Sequence, residues 1–135
     1  MVPLLASTAT DLSVVSAMTQ TLKTLALAMA LLAGSVLAGT QAEIDHLLDF
    51  VANTSCKYDR NGTIHDGPEA RDHINMKYEY HKKKVKTTED FIKFSATKSM
   101  MSGKKYQIHC PDSEAVFASD WLLDELKTFR ENGKK

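Results

Sequence analysis

Cys56-Lys57-Tyr58-Asp59-Arg60-Asn61-Gly62-Thr63-Ile64-His65 is the stretch on which the fold turns. Asn61-Gly62 sits between two short β-prone runs. Both residues tolerate the positive φ of a two-residue turn, so the stretch predicts a hairpin. Tyr58 and Ile64 are expected to pack on one another, with Arg60 at the turn. Cys56 opens the stretch, and the one other cysteine in the chain is Cys110. Ahead of it Tyr106, Ile108 and Cys110 alternate with Gln107 and His109, the period of a half-buried strand. That strand carries Cys110 toward Cys56 and is expected to add a third strand beside the hairpin.

How the two cysteines are read depends on compartment. Residues 24–38 read TLALAMALLAGSVLA, without charge and with Lys23 just ahead. A basic start, a short apolar run and a small-residue exit make a secretory signal peptide. It is expected to occupy residues 1–42, cut after Ala38 or after Ala42. Residues 1–17 hold Asp11 and no positive charge, so Met18 is the better start. The apolar run, about 15 residues, is short for a bilayer span. An uncleaved anchor is the alternative, and would be the protein's sole membrane contact. The expected location is therefore the periplasm or the exterior.

In an oxidising compartment an isolated cysteine pair is most simply a disulfide. The rival is a metal site drawing on Cys56, Cys110, His65, His73 or His109. Their Cys-x8-His-x7-His spacing fits no zinc pattern. Neither a metal nor a cofactor is expected.

The chain has 135 residues, with 17 Lys and Arg against 17 Asp and Glu. That balance offers no electrostatic reason to bind nucleic acid. Residues 43–133 are expected to form one domain of about 90 residues, enough for one modest core that a covalent staple would help.

Outward from the hairpin the chain reads helical. Ile44, Leu47, Leu48, Val51 and Ala52 make one apolar stripe. Asp66 can cap a second helix, with Pro68 in its first turn and Glu69 placed for a reciprocal cap. Its row is Ala70, Ile74 and Tyr78, with His73, Lys77 and His81 on the flank, and it ends in the basic run from His81 to Lys86. Thr87, with Asp90, caps a third helix whose inward face is Thr88, Phe91, Ile92, Ser95 and Ser99. Around Ser99 the period breaks into a loop. Residues 111–119 read as a linker or a short helical turn. Ser119 is expected to cap a last helix with Trp121, Leu122, Leu126 and Phe129 inward, Leu123 at its edge, and Asn132-Gly133 at its end. The sum is an α+β fold, mostly helical with about four helices, a small antiparallel sheet and one disulfide.

These residues resemble the YfeK-like family, small exported bacterial proteins classed as a domain of unknown function. The family's Arg-Asn-Gly turn falls on Arg60-Asn61-Gly62. Its second-helix pattern falls on Ala70, His73-Ile74 and Lys77-Tyr78, and its third-helix start on Thr88-Glu89 with Phe91-Ile92. Its Ser-rich loop falls on Ser99, Ser102-Gly103 and Tyr106. Met100 stands where a second Ser is expected, and Lys105 where Pro is common. The resemblance covers nearly the whole mature chain; it implies export and a single domain, and brings no activity.

The candidate site is the polar turn at Arg60 and Asn61, the loop carrying Ser99, Ser102, Gly103 and Tyr106, and His73 on its helix flank. Loops held by a rigid scaffold are where binding residues usually sit. The first expectation is a binding module without catalysis, with a protein or ligand of the cell envelope as partner. A second is lysozyme inhibition, because Ser102-Gly103-Lys104-Lys105-Tyr106 looks like the Ser-Gly-x-x-Tyr loop of bacterial lysozyme inhibitors, whose hydroxyls address catalytic carboxylates. A third is a hydrolase using Ser99 or Ser102 with His73 and Glu89, although no Gly-x-Ser-x-Gly elbow is present.

Overall fold

A computed structural model describes residues 39–134. The signal-peptide reading of the N-terminal segment, the start at Met18 and the cut after Ala38 lie outside them. The first helix, α1, covers residues 39–52. Its stripe of Ile44, Leu47, Leu48 and Val51 is buried as its spacing requires. Residues 39–42, ahead of the expected domain edge at Glu43, are already helical, so a cut after Ala42 would fall inside α1. Gln41 belongs to the packing: its amide donates to Asp45 at 2.8 Å, and its carbonyl accepts from the Tyr78 hydroxyl at 3.3 Å.

The hairpin forms as β1 (Lys57–Arg60) and β2 (Thr63–His65). Asn61 and Gly62 both take positive φ, 56° and 87°, and the Gly62 N–H donates to Asp59 Oδ1 at 2.8 Å. The register sets Tyr58 across from His65, and Asp59 across from Ile64. Ile64 therefore lies on the face opposite Tyr58 and is 53% exposed. The expected Tyr58–Ile64 contact does not form; Tyr58 instead lies across from Ile108 of β3 (Gln107–His109).

A fourth strand, β4 (Val116–Phe117), replaces the expected linker or helical turn. It pairs antiparallel with β3 and gives the order β2-β1-β3-β4. β3 has an outer edge free for pairing, and two β-prone residues suffice to take it. The Cys56–Cys110 disulfide joins the residue before β1 to the residue after β3, so it staples two neighbouring strands at one end.

The second helix, α2 (Gly67–His81), is capped by Asp66, which accepts from the Glu69 N–H at 3.0 Å. Glu69 does not return the cap; its carboxylate meets His65 Nδ1 at 3.2 Å. A 3-10 turn over Lys82–Lys84 follows. The third helix, α3 (Thr88–Phe91), opens with a full capping box between Thr87 and Asp90. It runs on as a π-helical stretch, Ile92–Ala96. The last helix, α4 (Ala118–Asn132), has Phe117 at its N-cap with no side-chain cap. Ser119 is inside the helix because β4 leads directly into it, and the Ala118 N–H is taken by the Tyr106 carbonyl at 3.0 Å.

The core gathers α1, α2, α3 and α4 with one face of the sheet: Leu47, Ile74, Phe91, Ile108, Leu122 and Leu126 are nearly inaccessible. Trp121 is not among them. It stays half-buried, its ring 4.5 Å from Phe50 of α1. Phe129 is likewise half-buried and stacks on His46 at 4.0 Å. His46 also meets Glu125 at 2.7 Å, and Arg130 reaches both Glu43 (2.7 Å) and Glu89 (2.6 Å). Thus α1 and α4 are clasped along their lengths. Among the described residues no helix is long and apolar enough to cross a membrane.

Candidate functional site

The Ser99–Tyr106 loop is built by its own backbone. The Ser99 N–H donates to the Lys104 carbonyl at 2.9 Å, and the Gly103 N–H donates to the Ser99 carbonyl at 3.0 Å. Gly103 sits at φ 71°, a conformation that favours glycine. The buried Ser99 hydroxyl accepts from the N–H groups of Met101 and Ser102, both at 3.3 Å. Ser99 is therefore the loop's internal strut. Ser102 reaches outward: its hydroxyl donates to Asn61 Oδ1 at 2.8 Å. That bond ties the loop to the hairpin turn across 41 positions of sequence. The antiparallel pairing of β1 with β3 brings the two ends within reach.

Beside this tie a cleft of about 300 Å³ opens between α2, the turn and the loop. Arg60, Asn61, His73, Ser99 and Tyr106 line it, with Met76, Lys77, Met100 and Met101. Of the residues singled out from sequence, Ser102 braces the rim and Gly103 shapes the loop. An adjoining apolar cleft of about 270 Å³ is lined by Met76, Lys77, Tyr80 and Met100.

The electrostatics of the cleft are one-sided. Lys77 is buried, donates to the Lys98 carbonyl at 2.6 Å, and holds its ammonium 5.0 Å from the centre of the Tyr106 ring. Arg60 Nε is buried with no hydrogen-bond partner. Among the described residues no carboxylate lies within ion-pair distance of Arg60 or Lys77. Burial, then the Arg60 charge, pulls Lys77 down to about 8. Burial, then the charges of Arg60, Lys77 and His65, pulls His73 down to about 4. His73 is therefore neutral at pH 7, and its Nε2 lies 3.5 Å from the Tyr106 hydroxyl. Burial raises Tyr106, against the lowering influence of Arg60. Beneath the cleft Tyr58 donates to the Ala96 carbonyl at 2.8 Å, and its ring lies 5.7 Å from that of Tyr106.

Sequence reasoning placed Lys77 on the flank of α2 but did not single it out. Its position four residues after His73, one helix turn on, was the available signal. Met76 carried no signal, and Met100 stood out only as the residue in place of a second Ser. The residues named for a hydrolytic triad are not brought together: Glu89 is held by Arg130, the Ser99 and Ser102 hydroxyls serve their own loop and Asn61, and His73 meets Tyr106. The histidines considered for a metal have other partners, His65 with Glu69 and His109 with Asp59. Among the described residues no group of three His, Cys, Asp or Glu side chains is placed to hold a metal ion.

With fold and cleft in hand, the chain can be placed. It belongs to a family of unknown function, DUF5329, whose model matches residues 38–130. No curated protein and no solved structure matches the chain.

Proposed function

We propose that this chain is a non-catalytic binding module working outside the cytoplasm, and that its recognition site is the cleft between α2, the Arg60–Asn61 turn and the Ser99–Tyr106 loop. The observation that carries this is the juxtaposition itself. Two remote polar segments are tied by the Ser102–Asn61 hydrogen bond beside an open cleft that holds two cations and no carboxylate. A rigid, stapled scaffold presenting polar groups in this way suits recognition. The disulfide accords with export, as does the finer likeness to the YfeK-like proteins, which adds no activity of its own. A lysozyme-inhibiting role through Ser102 and Tyr106 would need free hydroxyls, yet the Ser102 hydroxyl donates to Asn61 and the Tyr106 side chain is buried.

The test is a fragment screen by amide NMR on the oxidised domain. Hits are expected to shift resonances of residues 60–61, 73–77 and 99–106. Arg60→Ala and Ser102→Ala should weaken them while leaving the melting temperature within a few degrees. If both variants unfold, or if hits cluster elsewhere, these residues are structural and the reading fails. The accompanying export reading is checked by the mass of the secreted protein: a cut after Ala38 and a mass two hydrogens below the dithiol are expected, and an uncut dithiol chain overturns it.

A further inference from the structure

The geometry points to a ligand that joins an anionic group to an apolar chain, the anion set against Arg60 and Lys77 and the chain laid along Met76, Tyr80 and Met100. This rests on the reading of the cleft as the recognition site and specifies what enters it.

The anionic half follows from what the cleft lacks. A charge withdrawn from water is costly unless it is paired. Arg60 has its Nε buried and without a partner, and Lys77 is buried against a neutral carbonyl at 2.6 Å and the Tyr106 ring, with no carboxylate of the described residues on either cation. An ammonium has three donors, so two remain on Lys77 once Lys98 is served. The guanidinium fork of Arg60 matches a carboxylate or a phosphate. Burial first, and then the Arg60 charge with no counter-charge nearby, lowers the pKa of both His73 and Lys77. An anion in the cleft would supply that counter-charge.

The apolar half follows from what lies next door. Met76, Tyr80 and Met100 are 62%, 76% and 59% exposed, and with Lys77 they form the adjoining cleft. Methionine is unbranched and adaptable, suited to an irregular apolar chain. Met76, Lys77 and Met100 line both lobes, so the two adjoin along these side chains. Lobes of about 300 and 270 Å³ suit a small ligand.

The probes are octanoate, acetate, octylamine and octanol, titrated into the oxidised domain and followed through methionine methyl and His73 ring resonances. Octanoate is expected to shift Met76, Met100 and His73 and to bind about tenfold or more tightly than each of the other three. It should also raise the His73 pKa, a response a merely apolar contact would not give. Arg60→Gln should weaken octanoate about tenfold, and where that variant does not fold, Lys77→Met carries the same comparison. Met100→Ser should weaken octanoate but leave acetate unchanged. N-acetylleucine tells the source: equal binding points to a peptide C-terminus, weaker binding to an acyl chain. Octylamine or octanol binding in the cleft as well as octanoate overturns the anionic assignment and leaves the cleft reading standing. A separate cleft of about 600 Å³ is lined by Phe117 and Trp121, and octanoate shifting that cleft alone also overturns it. If no probe shifts the cleft, this inference and the cleft reading fall together.

Discussion

Replacing both cysteines tests how much of the fold depends on the staple. Cys56 and Cys110 are 54 positions apart, so the bond closes a loop of 55 residues counted inclusively. Removing that constraint returns about 14 cal/mol/K to the unfolded chain, or about 4 kcal/mol at 25 °C, in the chain-entropy account. A domain this small has about 5–15 kcal/mol in all, so the loss takes a large share of it. It corresponds to a fall in Tm of about 15–30 °C. Native geometry should survive, because β1 and β3 stay paired through Tyr58 and Ile108 without the sulfurs. Urea titration followed by circular dichroism, on the Cys56→Ser, Cys110→Ser variant beside the oxidised protein, measures this. The unfolded variant is less compact, so the dependence on urea should also steepen. A loss below about 1 kcal/mol at unchanged steepness would refute the entropic argument, because a 55-residue loop cannot be closed that cheaply.

Other consequences are as specific. Gly67→Ala sets a Cβ 2.5 Å from the Val51 carbonyl oxygen and 2.8 Å from that of Ala52, so α1 and α2 must part; a cost of about 1–3 kcal/mol is expected, and an unchanged thermal melt would count against it. His73 holds its proton only below about 4, whereas the unfolded chain binds it up to about 6.5, so stability should rise as pH climbs between those values. His73→Gln should flatten that slope, and a ring titration near 6.5 in the folded protein would contradict the burial argument. Arg130→Ala should cost about 1 kcal/mol, held low by exposure and reduced further by salt. Arg130 holds Glu43 and Glu89 below the usual carboxylate range, so the difference from wild type should be full above that range and vanish in acid. Tyr58→Phe strands the buried Ala96 carbonyl and should cost about 1–3 kcal/mol by urea titration, with no change expected at α4.

Features written in local rules were legible in the sequence. The α1 stripe, the Asp66 cap, the Thr87–Asp90 box and the Asn61-Gly62 turn each rest on residues a few positions apart. The alternation from Tyr106 to Cys110 was legible for the same reason, and with it the third strand. What depended on a neighbour was not. β4 is two residues long and exists because β3 offers an edge. Ser119 looked like a cap, but β4 feeds straight into α4 and the Tyr106 carbonyl takes the Ala118 N–H. Trp121 is the largest apolar side chain of its helix, yet Leu122 and Leu126 face the core and leave it against Phe50. At the candidate site, the turn and the Ser99 loop could be named from their chemistry, but the bond joining them depends on strand register. Lys77 was passed over because a lysine on a helix flank usually meets water; here the Ser99 loop folds over it.

The clasp between α1 and α4 also sets a timetable. Glu43 meets Arg130 across 87 positions, and His46 meets Glu125 across 79. A polypeptide emerging residue by residue from a ribosome therefore holds Glu43 and His46 without these partners until α4 arrives. Gly67 and Tyr78 of α2 reach α1 earlier, but the clasp waits for the last helix. The clasp can therefore close only when nearly the whole chain is out.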